Sequence, residues 1–149
     1  LYTNDKIKAL INISHGEGFG LPMFEAAREG LPVITVGWSG LMDFLTKNGK
    51  ELFQSVEYSM QPVQKEAVWK GVIEEGSMWA YADQGSYKMT LRKTFKNWAK
   101  CKETATELAA FINEEFSEEK LFSGFCEAIY APTEEELEWM SKLSEIEVL

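Results

Sequence analysis

Ser14-His15-Gly16-Glu17-Gly18-Phe19-Gly20-Leu21-Pro22-Met23-Phe24-Glu25-Ala26-Ala27 is the stretch that decides the fold, because it connects two short apolar runs. These runs predict buried strands at about residues 8–13 and 32–36. Pro22 suits the first turn of a helix, where its missing N–H is not needed, so we expect a helix at about residues 21–29. Gly30 and the proline that follows it end that helix. The order strand, glycine loop, helix, strand predicts a βαβ unit with two parallel strands.

The glycine loop predicts an anion site. A helix start preceded by Gly18 and Gly20 offers unpaired backbone N–H groups and the positive end of a helix dipole, which most often bind phosphate. Glu17 and Glu25 can face the same opening, and ionised carboxylates accept hydrogen bonds from hydroxyl groups. A nucleotide sugar carries both phosphate and hydroxyls. The dinucleotide fingerprint fits poorly, because Met23 stands where its third glycine would be.

The segment from Glu17 to Glu25 resembles the E-x7-E motif of retaining glycosyltransferases of the GT-B fold, particularly glycosyltransferase family 4. Gly-Leu-Pro-Val-Ile at residues 30–34 extends the resemblance. It implies that Glu17 contacts the donor sugar as the catalytic residue and that Glu25 contacts the nucleotide ribose. It also implies that backbone amides hold the sugar and diphosphate without a metal, namely those of Gly18, Phe19, Gly20 and Leu21. The alternative is a glycine-rich turn with two surface glutamates in an ordinary α/β domain.

A second glycine loop follows the second strand, and ligands bind at strand ends of this kind in open α/β sheets. It resembles a family subgroup that reads Trp-Ser-Gly-x-x-Asp/Glu-Phe-Leu, with Ser39-Gly40 where many members have Gly-Gly. We expect amides around Ser39 and Gly40 to line the donor pocket. Trp38 serves either in packing or in base stacking. His15 either touches a phosphate or sugar, or only orients the glycines.

The remainder of the chain is predicted to hold one or two strands between Glu51 and Val63 and helices from about residue 84 to 149. Residues 65–69 are interpreted as loop or short strand. A Trp-Ala-x-Ala-Asp segment resembles the family's Trp-Ala-x-Pro-Asp, which leads into a helix. It places Trp79 in the core and Asp83 near a helix start.

Apolar residues at helical spacing predict the buried faces of three helices. The faces are Tyr87, Leu91, Phe95 and Trp98; Ala105, Leu108, Ala109, Ile112 and Phe116; and Phe122, Phe125 and Ile129. Ser117 is expected to cap the third of these helices. Thr133-Glu134-Glu135-Glu136 forms a capping box that begins a last helix.

Composition and charge exclude several function classes. The 149 residues include 45% hydrophobic and 13% aromatic residues, which favours a folded domain. Residues 1–102 carry a net charge of +2 and residues 103–149 carry −11, so nucleic-acid binding is not expected. No apolar run is long enough to span a membrane. Cys101 and Cys126 lie in predicted helices without metal-ligand spacing, so we expect buried or half-buried free thiols and a cytoplasmic location.

The sequence therefore predicts an α/β fold, part of a Rossmann-like parallel sheet with flanking helices and a helical C-terminal end. Residues 1–149 are interpreted as one partial domain, the C-terminal donor-binding half of a GT-B glycosyltransferase. We expect a nucleotide diphosphate sugar as donor, retention of configuration and no cofactor. The chain starts at Leu1, directly before a strand, so the acceptor-binding N-terminal domain is expected to be missing, together with the family's Arg and Lys. Neither Arg28 nor Lys47 matches those two. The alternatives are a non-catalytic nucleotide-sugar-binding or structural module, and an unrelated flavodoxin-like domain.

Overall fold

The computed structural model describes residues 1–130 and 133–144. It divides into two compact units, Leu1–Glu114 and Glu115–Leu149, which are described separately below. The last five residues of the predicted helical section, 145–149, lie outside the described residues.

The described residues contain seven strands and six α-helices. The strands are β1 (Leu10–Asn12), β2 (Val33–Val36), β3 (Thr46–Lys47), β4 (Lys50–Glu51), β5 (Gln54–Val56), β6 (Tyr58–Pro62) and β7 (Met78–Ala82). The helices are α1 (Leu21–Arg28), α2 (Met42–Leu45), α3 (Gln84–Lys96), α4 (Trp98–Glu115), α5 (Glu118–Ile129) and α6 (Glu134–Ser144). Short 3-10 turns occupy Ser39–Leu41 and Lys65–Ala67.

A three-stranded parallel sheet in the order β1-β2-β5 forms the centre of the first unit. Leu10 pairs with Val33, and Ile34 pairs in turn with Gln54. All four residues of β2 are buried, as expected for the middle strand of a parallel sheet that is covered on both faces. The predicted α/β fold and the predicted βαβ unit are confirmed, since α1 connects the parallel strands β1 and β2.

Both ends of α1 form as the sequence predicts. Gly20 caps its start in a left-handed conformation with φ 83°, and Pro22 lies in the first turn. At the other end Gly30 has φ 68°, and Leu31 donates its backbone N–H to the carbonyl of Ala26. This is the Schellman arrangement, in which a left-handed residue after the helix satisfies its last carbonyls. Lys102 of α4 also donates to the Gly30 carbonyl at 2.6 Å.

Strands β5 and β6 lie between Glu51 and Val63, so the strands predicted there are confirmed. Strand β6 forms an antiparallel hairpin with β7. Residues 65–67 form a 3-10 turn instead of a strand. Trp79 lies on β7 but is half-buried, because its strand belongs to this two-stranded ribbon and not to the central sheet. The prediction that Trp79 is a core residue was therefore wrong.

Helix α3 begins at the predicted cap but buries only part of the predicted face. The Asp83 carboxylate accepts from the backbone N–H of Ser86 at 2.6 Å, so the predicted helix start is confirmed. Ser86 and Thr94 are buried, whereas Phe95 is 83% exposed. The buried hydroxyl groups are satisfied, since the Ser86 hydroxyl accepts from the backbone N–H of Glu57 and the Thr94 hydroxyl donates to a carbonyl one turn earlier. Of the predicted face, Tyr87 packs against the central core and Trp98 is half-buried, whereas Leu91 and Phe95 are exposed.

Helix α4 buries the predicted face, with Ala105, Leu108 and Ile112 inside the first unit. Cys101 is buried on the same helix, whereas Cys126 on α5 is exposed. The expectation of a buried or half-buried thiol is therefore correct for Cys101 and wrong for Cys126.

In the second unit, α5 begins at Ser117, whose side chain accepts from the backbone N–H of Lys120 as predicted. The predicted buried face of this helix is exposed instead, with Phe125 65% and Ile129 70% accessible. No residue of α5 is buried. The predicted capping box at the start of α6 is confirmed. The Thr133 hydroxyl accepts from the backbone N–H of Glu136, and the Glu136 carboxylate accepts from the backbone N–H of Thr133.

Candidate functional site

Two glycine loops meet where β1 and β2 end, because the carboxyl ends of parallel strands lie at the same edge of a sheet. The Ser39 hydroxyl accepts from the backbone N–H of Glu17 at 2.9 Å and lies 3.0 Å from the Glu17 carbonyl, to which it donates. The Gly40 N–H donates to the same carbonyl at 3.3 Å. A Cβ on Gly40 would lie 1.9 Å from the carbonyl oxygen of Gly18, so the two loops are in backbone contact.

The first loop carries four successive backbone N–H groups, those of Gly18, Phe19, Gly20 and Leu21. None of them donates to a protein group within residues 1–130 and 133–144. They precede the start of α1, where the helix dipole is positive. By contrast the Gly40 amide, which was predicted to line the pocket, is occupied by the Glu17 carbonyl. The backbone N–H of Ser39 has no partner in the described residues, so an anion could meet this amide as well as the four of the first loop.

Glu17 is half-buried at the base of the first loop. Its Oε1 accepts from the side-chain amide of Asn12 at 2.8 Å and from the hydroxyl of Ser14 at 3.0 Å. Its other carboxylate oxygen has no hydrogen-bond partner in the described part of the chain. One oxygen is therefore held by the protein, and the other can accept from a ligand.

Glu25 is exposed in the second turn of α1, one turn below the exposed Leu21. Its side chain forms no hydrogen bond or ion pair with the described residues. Glu25 is thus free to accept from hydroxyl groups on the side of α1 that faces away from the core.

The ring of Phe19 lies 5.1 Å from the ring of Phe24 and 5.3 Å from that of Phe44, and this packing holds the first loop against α1 and α2.

His15 is held by the β6–β7 hairpin. Its Nδ1 lies 2.8 Å from the carbonyl oxygen of Ala80, and its ring stacks on Trp79 at 4.9 Å and against Tyr81 at 4.4 Å. A carbonyl can only accept, so Nδ1 carries the proton and Nε2 of the neutral ring is an acceptor. Trp38 packs against the same loop, since a Cβ on Gly16 would lie 3.5 Å from its Nε1.

The two basic side chains considered from the sequence are engaged elsewhere. Arg28 lies at the far end of α1, where its Nε donates to Asn113, and Lys47 lies over the ring of Phe111. Within the described residues no three His, Cys, Asp or Glu side chains converge on a possible metal position. In the same residues, no helix combines the length and the apolar character needed to cross a bilayer.

Sequence reasoning missed two groups at this site, Asn12 and the carbonyl of Ala80. Asn12 stands inside an apolar run, which was interpreted only as a strand. A polar side chain within such a run was the available signal, since it needs a partner when it is partly buried. The Ala80 carbonyl gives no signal, because every residue has one.

Comparison with known proteins adds one finding. A family model described as "Family 4 Glycosyltransferase in conflict systems" (GT4-conflict) matches residues 5–124, which include both glycine loops. No curated protein and no solved structure matches the chain.

Proposed function

Since the chain belongs to the family 4 glycosyltransferases of conflict systems, we propose that it binds the nucleotide diphosphate sugar donor of a sugar transfer reaction. The observation that supports this most is the first glycine loop, where four free amides stand beside a carboxylate with one free oxygen. Amides suit the diphosphate and the carboxylate suits sugar hydroxyls. Membership of the family supports sugar transfer itself.

The diphosphate would bind to the amides of Gly18 to Leu21, at the start of α1. When the bond between the anomeric carbon and the diphosphate oxygen breaks, its electron pair leaves with the diphosphate. Backbone N–H groups and the helix dipole stabilise that developing charge, and no metal is required for this role. In this proposal the glycine loop takes the role of stabilising the leaving diphosphate.

Glu17 would contact the donor sugar. Its free oxygen can accept from a hydroxyl in the ground state and can stabilise the positive character of the anomeric carbon as the bond to the diphosphate breaks. Glu25 would accept from the ribose hydroxyls of the nucleotide. The resemblance of this motif to GT-B enzymes supports a reaction with retention of configuration.

We also propose that the acceptor binds to a second domain, which these 149 residues do not include. In GT-B enzymes the reaction takes place between two domains, and holding two reactants in place supplies much of the rate. The purified chain should therefore bind donor without transferring sugar. Sugar transfer by this chain above the level of a Glu17→Ala variant would contradict this part of the proposal.

The test is a pair of calorimetric titrations, one with a nucleotide sugar and one with the bare nucleotide. UDP-glucose and GDP-mannose serve as donor probes, and UDP and GDP serve as the bare diphosphates. Glu25→Ala should weaken both kinds of ligand about 10- to 150-fold, because it removes a charge-assisted hydrogen bond to the ribose. Glu17→Gln should weaken the nucleotide sugar and leave the nucleotide nearly unchanged.

Glu29→Gln is a suitable control, since it removes a carboxylate from the opposite end of α1. Its affinities should match those of the wild type. If Glu17→Gln weakens both ligands equally while Glu25→Ala weakens neither, the two roles are assigned wrongly. If no probe binds to the wild type, the donor class itself is wrong.

A further inference from the structure

We propose that Asn12 is a positioning residue for Glu17: its side-chain amide holds one carboxylate oxygen and thereby presents the other to the donor sugar. The hydrogen bonds that carry this inference exist in the free protein. Only its consequence for ligand binding rests on the proposed function.

The side-chain amide of Asn12 can take only one orientation. Its Oδ1 accepts from the backbone N–H of Ser14 at 2.7 Å, and its Nδ2 donates to Oε1 of Glu17 at 2.8 Å. A backbone N–H can only donate and an ionised carboxylate can only accept. A flipped amide would therefore place two donors together at Ser14 and two acceptors together at Glu17.

The strand and helix that flank Asn12 support this orientation. Asn12 is the last residue of β1 and pairs with Thr35 of the buried strand β2. Its Nδ2 also lies 3.1 Å from the sulfur of Met23, a buried residue of α1. The amide is thus confined between the end of a strand and the first turns of a helix.

Neutral donors hold Glu17 without cancelling its charge. The two groups on Oε1 are the Asn12 amide and the Ser14 hydroxyl, and no ion pair involves Glu17 in the part of the chain that the structure describes. An arginine or lysine in the same place would fix the carboxylate but offset its negative charge. Asn12 supplies orientation alone, which suits a carboxylate that must face positive charge in a transition state.

The first test needs no ligand. In the NMR spectrum of the full 149-residue chain, the side-chain amide resonances of Asn12 should shift in Glu17→Gln and stay in place in Glu25→Gln. If the chemical shifts of the Asn12 side-chain amide are the same in Glu17→Gln as in the wild type, the hydrogen bond between Asn12 and Glu17 does not exist. This measurement tests the hydrogen bond between Asn12 and Glu17 without any ligand. If no nucleotide sugar binds, the proposed function is wrong, but the NMR result on this hydrogen bond remains valid.

The second test compares ligands on Asn12→Leu. Its affinity for UDP-glucose or GDP-mannose should fall about tenfold, while its affinity for UDP or GDP should change less than about twofold. Asn12→Asp should lose more, because it sets an acceptor against the Glu17 carboxylate. Ser14→Ala, which removes the second donor and leaves β1 intact, should show a smaller loss with the same selectivity.

Asn113→Leu is the matched control, since Asn113 contacts Arg28 at the other end of α1. It should leave all four affinities unchanged. Equal losses for nucleotide sugars and bare nucleotides in Asn12→Leu would indicate a general defect of the loop and overturn the positioning role, as would no loss for either.

Discussion

Replacing Gly40 by alanine should separate the two glycine loops. The new Cβ would lie 1.9 Å from the Gly18 carbonyl oxygen, whereas real Cβ contacts stay beyond 3.0 Å, so the loops must move apart by about 1.1 Å. Both neighbours are backbone, so no side-chain rotation relieves the contact. Overpacking of this kind costs about 1–3 kcal/mol. The movement also weakens the hydrogen bonds of the Glu17 backbone to Ser39 and Gly40, each worth about 0.5–1.5 kcal/mol.

We therefore expect Gly40→Ala to lower the free energy of unfolding by about 3 kcal/mol, which for a chain of this size lowers Tm by roughly 10 °C. Differential scanning calorimetry measures this directly. Gly18→Ala is the matched control, because a Cβ there meets nothing within 4 Å. Its Tm should stay within about 2 °C of the wild type. A Gly40→Ala protein as stable as the wild type, or two equally destabilised variants, would refute the loop contact as described.

Three further predictions concern the helix ends. Gly30→Ala should cost about 1–2 kcal/mol in thermal unfolding, because position 30 has φ 68°; no loss of stability would show that this conformation is not needed. Asp83→Ala should cost about 1 kcal/mol by removing the acceptor for the Ser86 N–H, whereas Asp83→Asn should recover most of the loss. A hydrogen bond from Tyr130 lowers the pKa of Glu136, so Tyr130→Phe should raise that pKa in an NMR titration. Because the pKa of Glu136 is lowered in the folded chain, its stabilising contribution to the helix cap is present above its ordinary pKa and is lost as the pH falls through the folded pKa. If Glu136 titrates in Tyr130→Phe as it does in the wild type, the hydrogen bond from Tyr130 is not the cause.

The βαβ unit could be predicted because its signals are local. Pro22 and Gly30 lie at the two ends of α1, and each has a backbone requirement that can be recognised without knowing the rest of the fold. The strands on either side are short apolar runs of ordinary length. The same local motif identified Glu17 and Glu25 as the carboxylates of the candidate site.

The buried face of α3 could not be predicted from apolar spacing. That method assumes that the buried side of a helix is its most hydrophobic side. The buried Ser86 hydroxyl accepts from the backbone N–H of Glu57, 29 residues earlier, and this compensation depends on tertiary structure, whereas the Thr94 hydroxyl donates to a carbonyl of its own helix. Phe95, one of the four residues that the pattern assigned to the buried face, is left in solvent.

The contact between the site and the β6–β7 hairpin joins positions 65 residues apart, and its acceptor is a main-chain oxygen. Any amino acid at position 80 would supply the same carbonyl, so substitutions at position 80 are limited only by the space around its buried side chain. Position 15 has less freedom, because its imidazole nitrogen is the donor, but the Ala80 N–H donates in return to the His15 carbonyl at 3.3 Å. A substitution of His15 would therefore remove the side-chain half of this link and leave the main-chain half in place.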